Sequence, residues 1–430
     1  DKTTNSIALC DFNFIGILLN IIHYNYIKNY SIKKKINLKC TGISSDYLSP
    51  NWKKISLQYE DRKFKFNKFQ RIIRRIVKAI IFNSHLNILE ILPYLIKKNK
   101  YLSIGSYTNL KKNYIKKSGE FYLHYDAIDL ISTKKINNHR HELIRKGFLK
   151  NYEKKIIIPI LNFLQKKVDK KYIQNISIDV VVNAWLKRID SLYRINYNLK
   201  KRPCPKKILI TDCGNPLHKI IGASFITTEA KVYNFSHGND FGLINQKWIN
   251  AYLFSLCNYY VFENNIILNN FKKKQEIFKI PSFRKINFLT VNILNNIVEP
   301  TKQKSNNIKK IMLVGFPMNT KRYIGDSYCF FLYKIKLELL VLDLLNKLGF
   351  YTIYKAHPDR LNELGNTMSH YADEVITEKF EKAWELSDCI IFTYTTTSTF
   401  GYAINCKIPI ILIDLFKTDY NKSLKKIFSE

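Results

Sequence analysis

The chain has no Cys-x-x-Cys pair and no His/Cys cluster at metal-ligand spacing, although it carries eight cysteines. That excludes zinc-ribbon and zinc-finger frameworks. The cysteines stand singly at 10, 40, 204, 213, 257, 329, 389 and 406 and read as buried, reduced thiols, so a reducing compartment, most simply the cytoplasm, is expected. No uninterrupted apolar run approaches the ~18 residues of a spanning helix, and the first 30 residues lack a signal-peptide layout. The expectation is a protein that is soluble or peripheral on the inner face of the cell membrane. Internal repeats are absent. Acidic residues are scarce: 34 Asp and Glu stand against 70 Lys and Arg, a formal net charge of +36. Such a surface concentrates anionic partners. No zinc-finger, RNA-recognition or helix-turn-helix pattern accompanies the charge, so no nucleic-acid partner is expected, while an anionic membrane surface is. Lys is spread along the whole sequence, and background composition on solvated faces would also produce the excess.

What is present fits two α/β domains. The 430 residues exceed one ordinary core, and 46% hydrophobic content is ample for two. The clearest boundary is 295–310, where Glu299-Pro300 leads into a polar run. The expected division is an N-terminal acceptor-side domain over 1–297, a linker over 298–309 and a C-terminal Rossmann-type domain over 310–430. Beyond the linker, strands at 311–315, 351–355, 389–392 and 408–413 alternate with helical stretches at 330–348, 380–386 and from 399. That alternation is the signature of a parallel sheet. In the N-terminal part, 6–10, 207–211, 232–235 and 259–262 read as strands, with long helical material at 71–98 and 154–189. The pattern predicts two doubly wound units facing each other across a cleft, with functional residues following the strands. Within 71–81, Arg71, Arg74, Arg75 and Lys78 fall on one helical face, and Ile72, Ile73, Ile76, Ile80 and Ile81 on the other. The apolar face is expected to pack in the N-terminal core; lying on an anionic membrane is the alternative.

Three loops carry candidate chemistry. Ser236-His237-Gly238-Asn239-Asp240 follows the strand ending at Phe235 and frees an imidazole beside backbone that a substrate can approach. Lys355-Ala356-His357-Pro358 ends the strand 351–355, and Pro358 holds His357 extended. Its ammonium and imidazole suit a phosphate or a departing anion. Thr393-Tyr394-Thr395-Thr396-Thr397-Ser398-Thr399 precedes a helix and gathers more hydroxyls than one N-cap by Thr397 or Ser398 requires. Gly315, ending the strand 311–315, completes the candidate donor site.

Lys355-Ala356-His357-Pro358, Thr397-Ser398-Thr399-Phe400-Gly401-Tyr402-Ala403 and Lys407-Ile408-Pro409-Ile410-Ile411 together resemble the C-terminal signature of bacterial surface-polysaccharide glycosyltransferases of the GT-B fold. These include enzymes using CMP-activated Kdo and sialic acids. The resemblance covers residues 205 to 415. It implies a CMP-sugar donor contacted by His357-Pro358 and by Thr397, Ser398 and Thr399, with a glycan or glycolipid acceptor. It further implies a catalytic base in an acidic motif ending in Gly, here Asp212 in Asp212-Cys213-Gly214, with Glu229, His237 and Asp240 as competitors for that role. A metal-independent reaction is expected. The His237-Gly238 loop followed by an HP motif is also similar to CDP-glycerol glycerophosphotransferases, whose second signature carries an acidic residue where this chain has Tyr394. A non-catalytic anion-binding protein is the third reading.

Overall fold

The structure is a computed structural model that describes residues 2–11, 13–35, 68–86, 101–131, 136, 138–173, 177–211, 215–236, 254, 256–265, 267–269, 272, 286–291, 307–316, 331–357, 367–395, 397–404, 406 and 408–414. The chain divides into two compact units. The first contains a six-stranded sheet and the second a five-stranded sheet, and every strand pairing in both is parallel.

In the first unit the strands are β1 (Tyr101–Ile104), β2 (Leu123–Tyr125), β3 (Lys207–Ile210), β4 (Lys231–Phe235), β5 (Tyr259–Phe262) and β6 (Asn287–Thr290), in the order β2-β1-β3-β4-β5-β6. Alternation along the strands sends Leu209, Tyr233, Phe235 and Val261 to one face, where they pack with Leu110 and Ile115 of the helix Asn109–Ser118. Both faces of a parallel sheet need cover. The helix Pro216–Ile226, buried along its whole length, follows β3 and packs against the long helix Ile178–Lys200. Upstream, the helix His139–Tyr152 runs through a π turn, Glu153–Ile157, into Ile158–Lys167. The expected helical stretch 154–189 is therefore two helices, since the chain leaves helical geometry at Val168 (ψ 134°).

The segment 6–10, expected as a strand, is instead the end of a helix, Lys2–Cys10. A short apolar run cannot be told from a buried helix by periodicity, and tertiary packing decides here. Ile7 and Cys10 are fully buried, and Asp11, just beyond the helix, accepts two hydrogen bonds from Arg188 on Oδ1, at 2.6 and 3.1 Å. Phe14 stacks on Trp185 at 4.7 Å. Burial pushes the Asp11 carboxyl upward, against the pull of the Arg188 guanidinium.

The second unit holds β7 (Lys310–Val314), β8 (Tyr351–Lys355), β9 (Glu374–Ile376), β10 (Cys389–Phe392) and β11 (Ile410–Leu412), in the order β11-β10-β7-β8-β9. Counted from β7, that is the Rossmann-type order 3-2-1-4-5. Met312, Val314, Ile390 and Phe392 pack on one face with Phe380, Phe400 and Ala403. Ile311, Leu313, Cys389 and Ile391 pack on the other with Val341, Leu342 and Leu345 of the helix Phe331–Lys347. Both sheets are thus doubly wound in character, with β9 a strand the sequence pattern did not separate.

Candidate functional site

In an open parallel sheet, ligands bind outside the carboxyl ends of the strands, where the strand order reverses. The reversal in the second unit lies between β7 and β10, because the chain moves outward through β8 and β9 before returning to the other side of β7. The register makes the carboxyl ends level: Val314 pairs with Lys355 on one side and with Phe392 on the other. Gly315, Ala356 and Thr393 therefore follow side by side. Two of the three loops marked in the sequence, together with Gly315, lie along this edge.

Gly315 is required by its neighbours. A Cβ there would lie 2.3 Å from the Tyr354 hydroxyl and 3.2 Å from the Lys355 carbonyl oxygen. The Gly315 N–H donates to that carbonyl at 3.0 Å, and its own carbonyl accepts from the Tyr394 hydroxyl at 3.1 Å. The Tyr354 hydroxyl in turn donates to the fully buried carboxylate of Glu338, which also accepts the Phe316 N–H at 2.9 Å. The β7 loop is fixed from both flanks.

Lys334 is the principal residue that sequence reasoning missed. It sits on the helix Phe331–Lys347, is only 9% exposed, and donates to the Thr393 carbonyl oxygen at 3.1 Å. Its ammonium lies 5.7 Å from the Phe316 ring centroid and 5.3 Å from that of Tyr394, so two aromatic faces bracket it at the strand reversal. Burial pushes Lys334 down to about 8, opposed by the charges of Glu338 and Asp414. An ammonium has three donors, and among the described residues one hydrogen bond is made, to Thr393. The hydroxyl of the same Thr393, a residue 5% exposed, has no hydrogen-bond partner among them. Buried polar groups left in this state cost stability unless something bonds them. Donors of an ammonium and a hydroxyl, gathered at a strand reversal, suit an anionic group. A signal existed in the sequence: Lys334 and Glu338 fall at i and i+4 on the same face as Val341, Leu342 and Leu345, two charges on an apolar stripe.

The predicted donor residues are distributed more finely than the sequence suggested. Lys355 is at the end of β8, but it is 5% exposed and its ammonium donates to the adjacent Ala356 carbonyl oxygen at 2.7 Å. Burial lowers its pKa, partly offset by Glu381. His357, half-buried, follows at the same edge. Thr395 is 3% exposed. Thr397 is the N-cap of the short helix Ser398–Ala403, its hydroxyl accepting from the Thr399 N–H at 3.3 Å, so one hydroxyl of the run serves the fold. For Ser398 the backbone alone is described. Pro358 and Thr396 lie outside the described residues, as do Asp212, His237, Gly238 and Asp240. Glu229 is exposed in the turn entering β4, with φ 72°. That is the amino edge of the sheet, opposite the edge at which ligands bind.

The first unit has a matching reversal between β1 and β3, where Ile104 pairs with Ile210 and Gly105 lies beside Thr211. Among the described residues at this reversal, Thr211, His218 and Lys111 are engaged within the fold. The Thr211 hydroxyl donates to the Ser106 carbonyl oxygen at 2.7 Å, and the His218 ring nitrogen lies 3.0 Å from the Thr211 carbonyl oxygen. The ammonium of the fully buried Lys111 donates to the Ile104 carbonyl oxygen at 3.0 Å.

Among the described residues no group of three or more His, Cys, Asp or Glu side chains is placed to hold a metal ion. No described helix is long and apolar enough to cross a membrane. Compared with known protein families and with curated proteins, the chain matches no family model and no curated relative.

Proposed function

We propose that the chain is a glycosyltransferase of GT-B type that binds the phosphate of a nucleotide-activated sugar at the carboxyl ends of β7, β8 and β10. The observation that carries this reading is the pairing of Lys334 with Thr393. A buried ammonium that bonds the Thr393 carbonyl oxygen and, on the same residue, a buried hydroxyl with no partner among the described residues lie at a strand reversal. The level ends of the strands add the backbone of Gly315, His357, Thr395 and Thr397 to the same edge.

In this role Lys334 and the Thr393 hydroxyl bind the donor phosphate, and Tyr394 and Phe316 keep water from the cation. His357 is set to offset or protonate the leaving phosphate as the glycosidic bond to it breaks. Lys355 contributes by holding the Ala356 turn rather than by reaching the ligand, since its amine is buried against its own chain. The proposed donor is a CMP-activated acidic sugar, the acceptor a cell-surface glycan or glycolipid, and the site of action the cytoplasmic side of the cell. The base that activates the acceptor is proposed to be Asp212 or His237.

The test has two parts. Thermal unfolding with CMP, CDP, UDP and GDP in turn should show stabilisation greatest with CMP, because a ligand that binds the native state alone raises apparent stability by mass action. Incubation with CMP-sialic acid, CMP-Kdo and CDP-glycerol, each with a glycan acceptor, is then read by product mass. Transfer of glycerophosphate would assign the chain to the other chemistry. Absence of stabilisation by every nucleotide would sink the donor site itself.

A further inference from the structure

The helix Lys68–Phe82 does not bury its apolar face, contrary to the expectation from sequence. Ile73, Ile76, Val77, Ile80 and Ile81 recur at i, i+3, i+4, i+7 and i+8, the spacing of one continuous stripe. All five are exposed, from 38% at Ile80 to 53% at Ile81. The side that meets the protein carries Ala79, Phe82 and the following Asn83, each buried. Asn83 clamps the end of the helix: its amide donates to the Tyr122 carbonyl oxygen and its side-chain oxygen accepts the Tyr122 N–H, both at 2.9 Å. Phe82 stacks on His124 at 3.9 Å, and Lys78 pairs with Asp126 at 2.7 Å. The helix is thus anchored beside β2 by its narrow side with its wide apolar stripe facing outward, the reverse of a helix that stabilises a core.

We propose that this stripe docks on an anionic lipid bilayer, the helix lying in the plane of the interface. The charge of the segment selects that occupant. Lys68–Phe82 contains Lys68, Arg71, Arg74, Arg75 and Lys78 and no acidic residue, within a chain of net charge +36. At a rise of about 1.5 Å per residue the helix is roughly 22 Å long, shorter than the hydrocarbon core, and such basic amphipathic helices insert their apolar face at the headgroup boundary. Anionic headgroups attract Lys68 and the three Arg, Lys78 being engaged by Asp126, and the five aliphatic side chains leave water. The inference stands apart from the donor-site reading, since no residue of the second unit enters it.

Flotation of the full chain with vesicles tests it, using phosphatidylcholine alone and phosphatidylcholine mixed with phosphatidylglycerol. Binding is expected to the mixed vesicles only and to fall with added salt. The variant Ile76→Glu/Ile80→Glu, both positions exposed, should keep its circular dichroism and lose about tenfold or more in vesicle affinity. Amide exchange of the unaltered chain over 68–82, slowed by mixed vesicles, supplies a readout independent of any variant's folding. Equal binding by the variant, no binding by the unaltered chain, or no exchange protection would overturn the proposal. So would a chain that self-associates through the stripe, seen as a shift from dimer to monomer in the variant without any lipid.

Discussion

Gly105 beside Thr211 in the first sheet and Gly315 beside Thr393 in the second occupy the same place in their topologies, the residues just past the strands that flank the reversal. Their surroundings differ in one respect that matters for function. In the first unit the threonine hydroxyl donates to a backbone carbonyl, and the nearby Lys111 and His218 are likewise bonded to backbone oxygens. In the second, the threonine hydroxyl has no partner among the described residues, and the neighbouring Lys334 makes one hydrogen bond. Topology alone therefore marks two places where a ligand can sit, and polar satisfaction separates them. Native folds rarely leave buried donors unmatched except where a ligand or water completes them.

The sharpest way to break this contrast is through the buried groups of the first unit, which the account treats as structural. Asp11→Ala leaves the Arg188 guanidinium buried without its carboxylate partner, and a loss of about 3–5 kcal/mol is expected in urea unfolding. Nucleotide binding per folded molecule should be unchanged. A variant as stable as the unaltered chain would show that the pair does not hold the N-terminal helix in place.

A somewhat smaller effect is expected at Gly105. Its φ is +85°, and a Cβ would stand 2.6 Å from the Thr211 carbonyl and hydroxyl oxygens. Backbone strain of about 1–2 kcal/mol adds to overpacking of about 1–3 kcal/mol, so Gly105→Ala should lower stability by roughly 2–5 kcal/mol. Loss of nucleotide affinity in the folded fraction of this variant would shift the donor site to the wrong unit.

In the second unit the predicted effect is on turnover rather than on stability. His357→Ala should reduce kcat by about 10²-fold, the scale for removing one group that acts on developing charge, with donor affinity little changed. Parallel losses in affinity and kcat/KM, with kcat preserved, would make His357 a binding residue. Unaltered kinetics in a folded variant would remove it from the site.

Much of this architecture was legible from pattern. The apolar runs before Gly315, His357 and Thr393 are the central strands β7, β8 and β10, because a buried parallel strand shows as a short continuous apolar run closed by a loop residue. β5 at Tyr259–Phe262 matches its expected bounds. The pattern failed where local signal is weakest. β1, β2, β6 and β9, of three or four residues each, are not read as strands; β11, as short, is read because it lies within the longer apolar run 408–413. The helix Lys2–Cys10 presents only a brief apolar run, and packing against the helix Pro216–Ile226 settles its form. The stripe on Lys68–Phe82 was identified correctly as a stripe, yet amphipathicity does not say which medium covers it. At the site, loops at strand ends were visible, whereas Lys334 was not. It comes from the first turn of the helix Phe331–Lys347, about sixty positions before its Thr393 partner, and only the fold brings the two together.

The central claim is that the Lys334–Thr393 pair holds the donor's phosphate, and calorimetric titration of CMP into the unaltered chain and Lys334→Met, at about pH 7 and about pH 9, tests it most directly. Lys334 is lowered to about 8 in the native state, so the cation that the phosphate needs is present at the lower pH and largely lost at the higher. Lysine in the unfolded chain keeps its proton to about pH 10.4. Over the interval between, the unfolded state binds the extra proton, and this group makes stability rise with pH while ligand affinity falls. The unaltered chain should therefore bind CMP about tenfold more weakly at the higher pH. Lys334→Met should bind weakly at both, with stability equal to or above that of the unaltered chain, because an apolar side chain replaces a buried charge. Equal CMP affinity in the two proteins at both pH values, with the variant folded, would contradict the account.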